Sequence, residues 1–275
     1  MTALVVPVVE PRARFRDLVG SEWLKLWSLR STGWSLLLGA LAVMAFNVGT
    51  AWDHYRYWFA YDEASRASFV ADGLALGDAF TGNAAMVLIL CSAATGAVAM
   101  VGEYGSGQVR TSFAAVPARG QLISAKALVL AGVQAGFGAV VAGGSFWVSQ
   151  AVLSLRGVGV SLGHPGAVRL VVASALLAPV CALAGMALGA LVRRGAAAVV
   201  GAVVLLLFLP MVLSEERWLT AVLGHATPFR AWQRLAGEGM ATPFPWTTGG
   251  AWLVYGGWAV GAVVVAVLTV RRRDQ

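Results

Sequence analysis

Apolar residues in this chain run in long blocks that polar positions barely interrupt. A helix needs roughly 20 such residues to cross the ~30 Å hydrocarbon core of a bilayer. Six blocks come close to or exceed that length: 33–51, 80–101, 127–153, 168–192, 196–213 and 249–270. In lipid, every backbone N–H and C=O must be bonded within its own segment, so each block predicts one transmembrane helix. The third block is longer than a perpendicular crossing needs and is expected to tilt or to project beyond the bilayer. Ahead of the first block the pattern changes. Phe15, Leu18, Val19, Trp23, Leu26 and Trp27 recur at three- and four-residue spacing, while Arg16, Asp17, Ser21, Lys25 and Ser28 take the other face. Residues 15–29 are therefore expected to form an amphipathic helix lying in the headgroup plane, behind a disordered tail over 1–11. The predicted class is an all-α membrane protein, with the tail and interfacial helix in 1–32 and a single transmembrane domain in 33–275.

Composition agrees with the pattern. Of 275 residues, 59% are hydrophobic and only 12% are charged, against about a quarter charged in a typical globular chain. Too few polar residues remain to clothe a soluble domain, which excludes a soluble enzyme and a secreted disulfide scaffold. The net charge of +7 does not require nucleic acid, because its distribution accounts for it. The N-terminal segment, the second and fourth connections and the C-terminus hold 13 of the 20 basic residues and five acids. The other side holds seven basic and eight acidic residues. Cytoplasmic segments carry the Lys/Arg excess, so both termini are expected in the cytoplasm of a multi-pass protein of the plasma membrane.

The connections differ in character. The first outer loop, 52–79, crowds Trp52, Tyr55, Tyr57, Trp58, Phe59 and Tyr61 beside Asp53, Asp62 and Glu63. That composition fits an interfacial aromatic belt or a substrate vestibule. The last outer segment, 214–248, is expected to hold two short helices. Ser214 is placed to cap the first, and Thr227-Pro228 opens the second through Leu235, with proline at the first helical turn. Trp218, Trp232 and Trp246 point to a segment that dips into the membrane edge.

The spans are silent in ionisable chemistry. None of the six blocks holds Asp, Glu, Lys, Arg or His well inside it; Gln134 and Gln150 are the most polar residues of the third. A proton- or sodium-coupled carrier normally places a carboxylate near mid-membrane or breaks its helices there. A cation channel usually needs an acidic ring or a filter loop. Any transport is therefore expected to draw its energy from outside the bilayer. There is no HExxH, GxSxG or GxxxxGK[ST] motif, hence no expected enzyme activity, metal site or nucleotide cradle in this chain. Cys91 and Cys181 sit in apolar runs without ligand spacing. The small-xxx-small pairs Gly132/Gly136, Gly185/Gly189 and Gly257/Gly261 allow close helix approach, within one bundle or across a dimer.

The most informative stretch is the second connection, 102–126, which begins Gly-Glu-Tyr-Gly-Ser-Gly. Glu103 closes the second span where a nearby cation can pair with it. Residues 108–115 are expected to form a short helix along the membrane face, ending near Pro117, because proline disfavours helix at the residue before it. Arg119 and Lys126 flank the third span, where they are expected to snorkel. The result is a helical knob tied at both ends to spans.

With its basic amphipathic stretch ending Glu22-Trp23-Leu24-Lys25-Leu26, its Glu at the end of the second span and the following Gly…Arg110…Pro117-x-Arg119…Lys126 run, the chain resembles the permease subunits of type-2 ABC transporters. The six spans and the long segment before the last also fit that exporter class. The resemblance implies a type-2 ABC permease fold and a machine of two components. Two permease copies, as homodimer or heterodimer, would join two soluble ATP-binding subunits that hold the ATP and Mg, leaving no cofactor in this chain. ATP-driven closure would push a coupling helix and switch a central cavity between inward and outward exposure, moving a hydrophobic or amphipathic substrate. Glu103, Arg110, Pro117, Arg119 and Lys126 would belong to that coupling region. Trp23, Lys25 and Trp27 would mark the connecting helix, with Trp23 and Trp27 as interfacial anchors. A non-transporting scaffold or sensor derived from the same fold is the alternative.

Overall fold

The protein is described by a computed structural model over residues 14–105, 107, 118–237 and 243–273. Among these residues all regular structure is helical, and six helices are long and apolar enough to cross a membrane. The amphipathic helix Phe15–Ser28 precedes the first span, Arg30–Tyr57. Two short helices, Glu63–Ala71 and Leu74–Gly77, lead into the second span, Gly82–Gly105. The third span is Arg119–Ser154 and the fourth Ala167–Val192. The fifth covers Gly195–Val212. Helices Trp218–His225 and Pro228–Ala236 then precede the sixth, Thr248–Arg273.

Successive spans run up and down. Thr81, at the start of the second span, donates to Asn47 of the first, whereas Glu103 at its end meets Lys25. Lys25, Arg119, Arg193 and the three terminal arginines Arg271, Arg272 and Arg273 therefore gather at one end of the bundle, the basic end.

The fourth span is the buried centre, and its small residues explain why. A Cβ on Gly96 of the second span would stand 1.8 Å from the Ala182 carbonyl oxygen, and one on Gly185 would stand 2.0 Å from that of Ala93. On the other side, a Cβ on Gly138 of the third span would lie 2.1 Å from the Ala175 oxygen. Pro179 lies inside the fourth helix and has no N–H, so that same Ala175 carbonyl lacks its usual intrahelical donor. Backbone meets backbone at each of these points. Gly185 and Gly189 thus pack within one bundle, whereas Gly132, Gly136, Gly257 and Gly261 face outward with nothing within 4 Å. In the fifth span, Pro210 cannot donate to the preceding turn, and the ladder widens to a π-helical stretch over Val204–Phe208.

Buried polar groups mostly find partners. Asn47 accepts from the Thr81 N–H at 2.8 Å and donates to Ser145 Oγ at 2.9 Å. Gln150 donates to the Ala75 carbonyl at 2.6 Å and accepts from the Val160 N–H at 2.8 Å. Gln134 is fully buried, and neither atom of its amide has a hydrogen-bond partner among the described residues.

Several boundaries differ from expectation. The first helix continues to Tyr57, since no glycine or proline interrupts 50–57. The third begins at Arg119, so both Arg119 and Lys126 are helical. Helix Trp218–His225 is preceded by Arg217 in extended conformation, and Ser214 is not its cap, because three residues separate Ser214 from the first helical turn. Helix Pro228–Ala236 opens as predicted, with Thr227 before it and Pro228 in its first turn. The aromatic crowd of the first outer loop is partly a packed cap, in which Trp58 and Phe69 are buried with rings crossing edge to face at 5.5 Å. Trp52, Tyr57 and Phe59 stay exposed. The expected tail over 1–11 and the expected coupling helix over 108–115 lie outside the described residues.

Candidate functional site: a buried cluster of four charges

On the amphipathic helix, Leu18, Glu22 and Lys25 follow one another at four- and three-residue spacing and so share a face. That face, and not the tryptophan face, meets the protein. Leu18 packs on Leu122 and Ala125 of the third span, and this contact sets the helix so that Glu22 and Lys25 reach past it. Lys126 follows Ala125 directly, and Glu103 lies in the last turn of the second span. Three helices thereby deliver four charged side chains to one point.

The geometry is an alternating ring. Lys126 Nζ donates to Glu22 Oε2 at 2.5 Å and to Glu103 Oε1 at 2.9 Å. Lys25 Nζ donates to Glu22 Oε1 at 2.6 Å and to Glu103 Oε1 at 3.2 Å. Glu22, Lys126 and Glu103 retain only 3%, 7% and 9% of their exposure, whereas Lys25 is half-buried. Removing an ion from water costs several kcal/mol unless close partners of opposite charge replace the water. Each of the four has partners of opposite charge at bonding distance, which is what permits this burial. Burial works to lower the Lys25 pKa, but its hydrogen bond to Glu22 and the fields of Glu103 and Glu22 outweigh it. The ammonium is held above the ordinary lysine value.

Of the residues singled out from sequence, Lys25, Glu103 and Lys126 come together here. Lys126 does not snorkel; two carboxylates within reach make burial the better solution. Arg119 opens the third helix two turns before Lys126 and is half-buried. Trp23 and Trp27 lie off the cluster, 49% and 45% exposed, with ring centroids 5.8 Å apart. Arg110 and Pro117 lie outside the described residues. The residue that sequence reasoning missed is Glu22, quoted within the amphipathic stretch but given no role. Its signal was present: an acid one turn beyond Leu18 and three residues before Lys25 sits on the face that Leu18 buries.

The cluster is built to hold helices together. Its four charged side chains bond one another across three helices. Among the described residues no group of three or more His, Cys, Asp or Glu side chains is placed to hold a metal ion. At the opposite end, His54 Nδ1 lies 2.6 Å from Asp78 Oδ2 with its ring against Phe69. Arg156 covers Tyr55 and Phe59 with its guanidinium 4.2 and 4.3 Å from their ring centroids. Comparison with known proteins finds no family model that matches the chain and no characterised protein that matches it.

Proposed function

We propose that this chain is the permease subunit of an ATP-driven exporter of the type-2 ABC class, lying in the cell membrane with both termini in the cytoplasm. One observation carries the reading. The connection that resembles the coupling region runs between Glu103 and Lys126, and these two residues are bonded to each other and to the amphipathic helix through Glu22 and Lys25. A force on that connection therefore acts on the second and third spans and on the helix leading into the first. No Asp, Glu, Lys, Arg or His stands well inside the apolar blocks of the spans, which agrees with a motor outside the bilayer. In this reading a separate soluble subunit binds ATP and Mg, a second permease copy completes the pathway, and the transported compound is hydrophobic or amphipathic.

The test is to co-express the chain with a candidate ATP-binding subunit and to measure ATP hydrolysis in proteoliposomes. The proposal expects a stable complex whose turnover is altered by Arg119→Glu and by Glu103→Ala at unchanged complex yield. Absence of a complex, or turnover indifferent to both substitutions, would refute it and favour a scaffold.

A further inference from the structure

Beside the charge cluster lies a cavity of about 640 Å³ between the amphipathic helix and the first, second and third spans. This falls in the range of about 300–1,000 Å³ that holds small organic ligands. Its floor is polar, made by Glu22, Lys25, Glu103 and Lys126, and its walls above are apolar, among them Leu90 and Leu130. Such a cavity matches a molecule with a polar head and one apolar tail.

The hydrogen-bonding character of the lining defines the head. Five hydroxyl side chains face the cavity: Ser28, Ser31, Thr32, Ser35 and Thr95. Three of them have already given their proton to their own helix. Ser28 Oγ donates to the Lys25 carbonyl at 2.8 Å, Ser35 Oγ to that of Thr32 at 2.9 Å, and Thr95 Oγ1 to that of Cys91 at 2.8 Å. A hydroxyl whose proton is spent offers only lone pairs. Lys25 and Lys126 each give two of their three N–H bonds to carboxylates. Among the described residues the lining therefore offers more lone pairs than N–H or O–H donors. An anionic head would meet mostly lone pairs, and a quaternary ammonium would have no proton to offer. We infer that this cavity binds a single-tailed amphiphile whose head carries N–H or O–H donors, a primary alkylamine being the simplest form. The inference rests on the cavity alone and holds whether or not the chain exports anything.

The full chain in phosphatidylcholine nanodiscs provides the test, since the choline head has no N–H or O–H donor. The probe is a dodecylamine carrying a photoreactive diazirine in its tail, used beside its N,N,N-trimethyl homologue with the same tail. Saturable adducts are expected on the second and third spans near Leu90 and Leu130, and unlabelled dodecylamine should compete whereas dodecanoate should not. Loss of a charge-assisted hydrogen bond costs about 1.5–3 kcal/mol, so the trimethyl probe is expected to bind about tenfold or more weakly. Ala94→Phe, which fills the cavity from the second span, should abolish the adducts while the protein stays monodisperse. If that variant does not fold, the probe pair on the unaltered chain still decides. Adding lysophosphatidylethanolamine, which has one tail and a primary ammonium, separates the sources. Competition would identify a membrane-derived lysolipid as the occupant, and its absence a free single-tailed amine. Equal labelling by the two probes, competition by dodecanoate, or unsaturable adducts spread over outward-facing residues such as Val140 would overturn the inference.

Discussion

Lys126→Met tests the charge cluster most sharply. The substitution keeps the apolar stem and removes one ammonium whose side chain is only 8% exposed. Glu22, with a side chain only 2% exposed, would keep the ammonium of Lys25 at 2.6 Å but lose its bond to Lys126, and Glu103 would lose its own. Breaking a buried ion pair by removing one partner typically costs about 3–5 kcal/mol. Lys25→Met is different, although it removes the same charge. Its side chain is 33% exposed, water screens the loss, and Lys126 still bonds both carboxylates, so the expected cost is about 1 kcal/mol. The readout is hydrogen exchange of residues 15–28 in nanodiscs, because the cluster ties that helix to the bundle. At 1.4 kcal/mol per tenfold, Lys126→Met should speed exchange there by about a hundredfold or more, and Lys25→Met by about tenfold at most. Adding Glu22→Gln to Lys126→Met removes the buried carboxylate charge that lost its partner and should recover part of the loss, a non-additivity expected of groups in one network. Equal effects of the two lysine substitutions, or strict additivity in the double variant, would refute the reasoning.

Other consequences follow from the packing. Gly185→Ala and Gly96→Ala drive a methyl into a carbonyl oxygen 2.0 or 1.8 Å away, so thermal unfolding in detergent should show losses above the about 1–3 kcal/mol of ordinary overpacking. Gly136→Ala and Gly257→Ala meet open space and should be neutral or stabilising by up to about 1 kcal/mol in the same assay, through helix propensity. Gln150→Leu strands the Val160 N–H and the Ala75 carbonyl; at about 1–3 kcal/mol per orphaned group, residues 72–80 and 156–162 should lose exchange protection. His225 stacks on Trp246 at 4.6 Å, its Nε2 is buried without a partner among the described residues, and burial lowers its pKa. The fold thus favours neutral imidazole. Its contribution is fully present above the ordinary value of about 6.5 and is lost as pH falls below it. Exchange over residues 218–236 should quicken on acidification, and His225→Phe should remove that dependence.

The spans were legible because a bilayer leaves the backbone one solution, the helix, wherever the side chains are apolar for long enough. Their ends were less so. Charged residues such as Arg119 hide the start of the third helix from a hydropathy reading, although the chain beyond Pro117 has no residue that breaks a helix before Lys126 except Gly120. At Gly120 a Cβ would meet the Arg271 guanidinium at 2.6 Å, the far end of a flexible side chain that can move aside. The charge cluster was half legible. Glu103 and Lys126 stand out as charges bounding apolar blocks, and a partner for Glu103 was foreseeable. Glu22 was harder to read. Lys25 three residues on marks their shared face, but amphipathic patterning takes the tryptophans as the buried face, and Lys126, which draws Glu22 inward, lies 104 residues further on. A buried carboxylate is hard to read from sequence when one of its counter-ions is distant in the chain. The cavity beside it was invisible for the same reason, since its lining comes from four helices.

Purification of the tagged chain from its native membrane, followed by identification of what accompanies it, tests the central reading most directly. A permease of this class is expected to emerge with an equal number of copies of a soluble protein that carries a P-loop and binds ATP. Lys126→Met should weaken the linkage between nucleotide state and exchange of residues 15–28 without abolishing the complex. A chain that emerges alone, or with partners that bind no nucleotide, would contradict the account.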